Sequence, residues 1–95
     1  MDYIIKEIEK VAQKENLDKV VLFGSRARGD NKERSDVDLA VYTNDIQAYN
    51  KFVEDLEDIE TLLKFDVTLI EDDMNEEFLN SIAREGKIIY EKLWS

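Results

Sequence analysis

Apolar residues recur at Ile4, Ile5, Ile8, Val11 and Ala12, the three-and-four spacing of one helical face, and Asn16 supplies a stop, so residues 2–15 read as an amphipathic helix. The period then changes. "KVVLFG" (19–24) is a short run rich in β-branched residues that closes on glycine, the pattern of a buried strand, and a loop is expected from Ser25 to about Ser35. "DVDLAVYT" (36–43) gives a second strand. From Asp45, after candidate caps at Thr43 and Asn44, the series Ile46, Tyr49, Phe52, Val53, Leu56, Ile59, Leu62 and Leu63 predicts a long helix with one wet face. "KFDVTLIE" (64–71) alternates as a third strand. Asn75 then opens a helix with Glu76 and Glu77 in its first turn, Gly86 stands where a left-handed helix end is expected, and "KIIYEKLW" (87–94) closes as a short strand or edge segment. The order α-β-β-α-β-α-β predicts an α/β (α+β) fold: a small mixed β-sheet with helices packed mainly on one face.

Composition narrows the class. Ninety-five residues, 43% hydrophobic, with three glycines and no proline, predict one compact domain over residues 1–95, without repeats or linkers. A core of this size gives modest stability, so a partner or a homo-oligomer is expected to add to it. The absence of cysteine and histidine excludes a disulfide framework, a thiolate zinc site, a thiol nucleophile and any histidine-based triad, leaving oxygen as the only class of metal ligand. Acids run through the N-terminal "MDYIIKEIEKVAQKE" and no apolar run nears 18 residues, which predicts neither signal peptide nor membrane span and a cytoplasmic location. A formal charge of −10 argues against nucleic acid and anionic lipid and favours a basic protein partner, although a soluble charged surface needs no partner to explain it.

The chemistry concentrates in "GSRARGDNKERSDVD" (24–38). Strand alternation puts Asp36 and Asp38 on one face, where two carboxylates repel unless one takes a proton or a hard cation such as Mg²⁺ sits between them. The same pair would also suit the wet face of an edge strand. Gly24 and Ser25 form a turn whose N–H groups and hydroxyl are free for phosphate oxygens, and Arg26 and Arg28 add guanidinium forks suited to a polyphosphate. Asp66 enters the third strand between Phe65 and Val67. It joins the first two aspartates if that strand neighbours theirs, and otherwise serves as a strand-start residue bonding its own backbone.

Gly24-Ser25, ten residues, then Asp36-x-Asp38 resembles the signature of the polymerase β-like nucleotidyltransferase superfamily. The short chain is similar to its minimal nucleotidyltransferase (MNT) branch, the antitoxin half of toxin–antitoxin pairs with HEPN ribonucleases. The resemblance implies the polymerase β-like fold, with Asp36, Asp38 and Asp66 as catalytic and metal-holding residues for two Mg²⁺ ions. It implies that Gly24, Ser25, Arg26 and Arg28 bind the phosphates of ATP. Asp66 would serve a second metal site and take the proton of the attacking hydroxyl. AMP transfer to a tyrosine hydroxyl of a HEPN toxin follows, the acceptor coming from another protein because 95 residues leave no room for a second domain. Three readings compete with this: an antitoxin that only masks its toxin, a transferase acting on a small-molecule hydroxyl, and a metal-binding scaffold without nucleotide.

Overall fold

The structure, a computed structural model, describes residues 1–93. Its elements are α1 (Asp2–Lys14), β1 (Lys19–Phe23), α2 (Ser25–Arg28), β2 (Val37–Tyr42), α3 (Ile46–Leu56), β3 (Phe65–Leu69), α4 (Glu76–Glu85) and β4 (Lys87–Glu91). The four strands form one mixed sheet in the order β3-β2-β1-β4; β1 runs antiparallel to both β2 and β4, while β2 and β3 are parallel. The parallel pair needs a crossover, and α3 supplies it. Trp94, expected in the last strand, lies outside the described residues. Among those residues no helix is long and apolar enough to cross a membrane.

Alternation divides the sheet into two faces. Val37, Leu39 and Val41 of β2 join Val20 and Leu22 of β1 beneath α1 and α3, where Ile8, Ala12, Phe52 and Leu56 seal a dry core. The opposite face carries α4 over a smaller cluster of Val21, Ala40 and Ile82, with Phe23 and Phe78 meeting edge to face at 5.7 Å. Two of the three longer helices thus share one face, and α4 takes the other.

Several local expectations are corrected. The segment after Gly24 is no plain loop, since Ser25–Arg28 makes one helical turn. The long helix predicted to reach Leu63 stops at Leu56. Its last turn carries no basic residue, and Glu54, Asp55, Glu57, Asp58 and Glu60 crowd the end where the helix dipole disfavours negative charge. Ile59 and Leu63 still pack on the dry core, whereas Leu62 is 101% exposed. The cap of α3 is Asp45 itself, which accepts from the N–H groups of Gln47 (3.0 Å) and Ala48 (3.1 Å), while Thr43 Oγ1 accepts from Asp45 N–H at 3.1 Å. Asn75 caps α4 as expected, accepting from Phe78 N–H at 3.1 Å, and Asn16 takes a left-handed φ of 55° after α1. Gly86 does not: its φ of −71° and ψ of 155° are extended. Glycine is required there by space, because a Cβ would run into the Ile82 carbonyl and the Val21 side chain where α4 turns into β4. The second strand begins at Val37, one residue later than read, so Asp36 stands at its threshold.

Candidate active site

The central strand β2 and its two neighbours assemble the site on the α4 side of the sheet. Antiparallel register sets Asp38 opposite Phe23, the last residue of β1, and parallel register sets it beside Asp66 of β3. Phe65 and Val67 pack toward the dry core, so alternation turns Asp66 to the face that holds Asp38. The dependence of Asp66 on its strand's neighbour is thereby resolved. Asp36 is exposed at the mouth of β2, Asp38 is half-buried and Asp66 is exposed.

Gly24 makes this close packing feasible. With φ of 74° and ψ of −157° it adopts a conformation that L side chains avoid, and a Cβ there would collide with the Asp38 carboxylate. The carboxylate therefore lies directly against the turn. Ser25 follows as the first residue of α2, whose Ala27 and Arg28 N–H groups both donate to the Gly24 carbonyl at 3.1 Å. The leading N–H groups of the turn have no acceptor within the helix.

The electrostatics follow from the geometry. Burial pushes the Asp38 carboxyl above its ordinary value; the negative charges of Asp66 and Asp36 and a hydrogen bond with Asp66 push it the same way, while Arg28 pulls it down. A carboxylate held among carboxylates in a partly desolvated place seeks a cation. Among the described residues no three acidic side chains already close around one ion. An ion held by one or two carboxylates and completed by substrate phosphate oxygens is the usual arrangement for Mg²⁺, and the all-oxygen donor set fits it.

The two arginines behave differently. Arg28 is exposed and pairs through Nε with Asp30 at 3.3 Å and through Nη1 with Glu85 of α4 at 3.5 Å. Arg26 is half-buried and bonds main-chain carbonyls of the loop before β2. In the sequence Asp30 reads as a loop residue and no local pattern marks Glu85, because Glu85 reaches Arg28 only once α4 packs on β1. The apolar cleft of about 380 Å³ lined by Val53, Leu56, Ile59, Leu63, Phe65 and Val67 opens on the dry-core side of β3, away from the carboxylates.

Comparison with known proteins agrees with this geometry. The family described as Polymerase beta, Nucleotidyltransferase matches residues 6–93. Two Methanocaldococcus jannaschii proteins named as protein adenylyltransferases are similar in sequence. MJ1215 is 42% identical over 72 residues, covering 70% of this chain and 83% of its own length. MJ0141 is 48% identical over 46 residues, which is 45% of this chain and 46% of that protein, so the match spans about half of its length. Among solved structures, a mutant of the toxin–antitoxin MntA-HpeT superposes with a TM-score of 0.70 at 18% identity, covering 93% of this chain and 73% of that one. The complex of tri-AMPylated Shewanella oneidensis HEPN toxin with MNT antitoxin gives a TM-score of 0.61 at 21% identity, covering 96% and 72%. These likenesses establish a common fold.

Proposed function

Since the chain belongs to the polymerase β nucleotidyltransferase family, we propose that it acts as an antitoxin, transferring AMP from ATP to a tyrosine hydroxyl of a partner HEPN toxin in the presence of Mg²⁺. The observation that carries the reading is the placement of Asp38 beside Asp66 and directly against the Gly24–Ser25 turn. The names of the two archaeal relatives support adenylyl transfer, and the MNT–HEPN complexes of similar fold support the partner.

Asp36, Asp38 and Asp66 would hold two Mg²⁺ ions, which when bound neutralise phosphate charge and acidify the acceptor hydroxyl. The turn at Gly24 and Ser25 receives the terminal phosphates, and Arg28 exchanges its carboxylate partners for phosphate oxygens as charge builds on the leaving group. Asp66, the more open member of the pair, takes the hydroxyl proton. The acceptor oxygen bonds to the α-phosphorus, the bond to the bridging oxygen breaks, and pyrophosphate leaves. The site lies open on the sheet face rather than in the apolar cleft, which suits an acceptor carried on another protein's surface. The net charge of −10 suits a basic one.

The test incubates the chain and a HEPN protein with Mg²⁺ and ATP labelled at either the α- or the γ-phosphate. Label from the α position alone, appearing on a partner tyrosine and lost with Asp38→Asn, is expected. A stable complex that neutralises the toxin without label would replace transfer by masking.

A further inference from the structure

We propose that Arg26 is a positioning residue: it clamps the loop ahead of β2, thereby fixing Asp36 relative to the Gly24–Ser25 turn, and does not contact the nucleotide. The inference rests on the site reading above and assigns to Arg26 a role other than phosphate binding. Arg26 follows Ser25 in α2, and its guanidinium reaches across to main chain. Nε and Nη2 both donate to the Ser35 carbonyl, at 3.0 and 2.9 Å, and Nη2 donates also to the Glu33 carbonyl at 3.1 Å. Three donor hydrogens of one side chain are thus spent on two carbonyls in a planar fork that a lysine cannot reproduce.

The position of those carbonyls gives the clamp its meaning. The Ser35 carbonyl belongs to the same rigid peptide unit as the Asp36 N–H, so holding the oxygen fixes the plane from which Asp36 departs. One residue further on, Val37 N–H donates to the Lys64 carbonyl at 2.8 Å. Asp36 therefore sits between a point anchored to α2 and a point anchored to the segment leading into β3. The loop itself is lightly tied, with Ser35 N–H on the Lys32 carbonyl at 3.1 Å and Lys32 N–H on Ser35 Oγ at 2.9 Å. The near end of the segment is held to α2 by Asp30 N–H on the Ser25 carbonyl at 3.1 Å and by the Arg28–Asp30 pair, so the fork is what ties its far end, residues 33–35, back to α2. Arg28 offers the contrast: its partners are the side-chain carboxylates of Asp30 and Glu85, which a phosphate can displace, whereas the partners of Arg26 are backbone.

The test compares wild type with Arg26→Gln and Arg26→Lys by amide hydrogen exchange without nucleotide, by calorimetric ATP affinity in Mg²⁺, and by steady-state transfer. The clamp predicts that Arg26→Gln speeds exchange at the Lys32 and Ser35 amides by about tenfold while the β1 amides stay as they were. It predicts a kcat lowered by about tenfold with ATP affinity and KM held within about twofold, and an intermediate kcat for Arg26→Lys. Unchanged loop exchange, or a KM about tenfold higher at full kcat, would overturn the proposal and return Arg26 to the phosphates. Should the glutamine variant not fold, the lysine variant carries the same readings. A wild-type chain that transfers nothing would defeat the transfer reading alone, because exchange and ATP affinity judge the clamp without turnover.

Discussion

The two faces of the sheet are built from the same strands to opposite specifications. On one, Val20, Leu39, Val41, Phe52 and Ile8 are wholly buried beneath two helices. On the other, a single helix sets Ile82 and Phe78 over Val21, Ala40 and the half-buried Phe23, and the ends of β2 and β3 present carboxylates instead of methyl groups. Every second residue of β2 serves each side, so the strand that fills the core also carries Asp38. The lesson is one of division: the dry face supplies the rigidity with which the thin face can hold like charges side by side.

The sharpest way to break this comparison is to hollow each face in turn. Phe52→Ala is expected to cost about 3–5 kcal/mol in urea unfolding, and Ile82→Ala to fall near the low end of the usual range, about 2 kcal/mol. Equal costs would mean that the α4 face is as much a core as the other.

Next comes the charge that the thin face tolerates. Asp38→Asn should reduce transfer by about a thousandfold yet raise the metal-free Tm by about 3 °C at pH 7. The sign follows from the raised Asp38 pKa: the folded chain holds that proton more tightly than the unfolded chain, so this contribution is complete below the ordinary carboxyl range and lost as pH rises through the folded value. Calorimetry in chelator should therefore show the gap between variant and wild type closing as pH is lowered toward that range. A gap constant with pH would remove Asp38 ionisation as its cause.

Gly24→Ala sets backbone against carboxylate and should destabilise by about 1–2 kcal/mol, displacing Asp38 and losing most of the transfer activity. Glu85→Gln removes one carboxylate competing for Arg28, so ATP should bind about twofold tighter by calorimetry at low salt; weaker binding would mean that Glu85 aims the guanidinium. The smallest effect is expected at Leu62→Lys, within about 0.5 kcal/mol, because that side chain touches no core despite its helical spacing.

Much of this was legible in the sequence where a short-range rule governed it. The strand from Lys19 declares itself by β-branching, that of Asp38 by alternation and the helix from Glu76 by its asparagine cap, and these fix the element order. Gly24-Ser25 and Asp36-x-Asp38 point to the family because their spacing is local. What escaped depends on other elements. Ile59, Leu62 and Leu63 continue the helical period, but the acidic tail of α3 ends the helix first. Gly86 looked like a left-handed cap and is needed instead for contact with Val21, 65 positions away in the chain. Arg26 and Arg28 read as a pair, yet one finds backbone and the other carboxylates, a distinction set by which way each leaves a single helical turn.

The strand order also constrains how the molecule is born. Because β4 pairs with β1, the outer edge of β1 has no partner in the sheet until residues 87–91 emerge, although its inner neighbour β2 is complete by Tyr42. At ordinary rates of translation the interval between Phe23 and Lys87 is about 3–13 s. Throughout it a hydrophobic ribbon waits with the hydrogen-bonding groups of its outer edge unclaimed, so β1 spends its most vulnerable seconds depending on a strand not yet made.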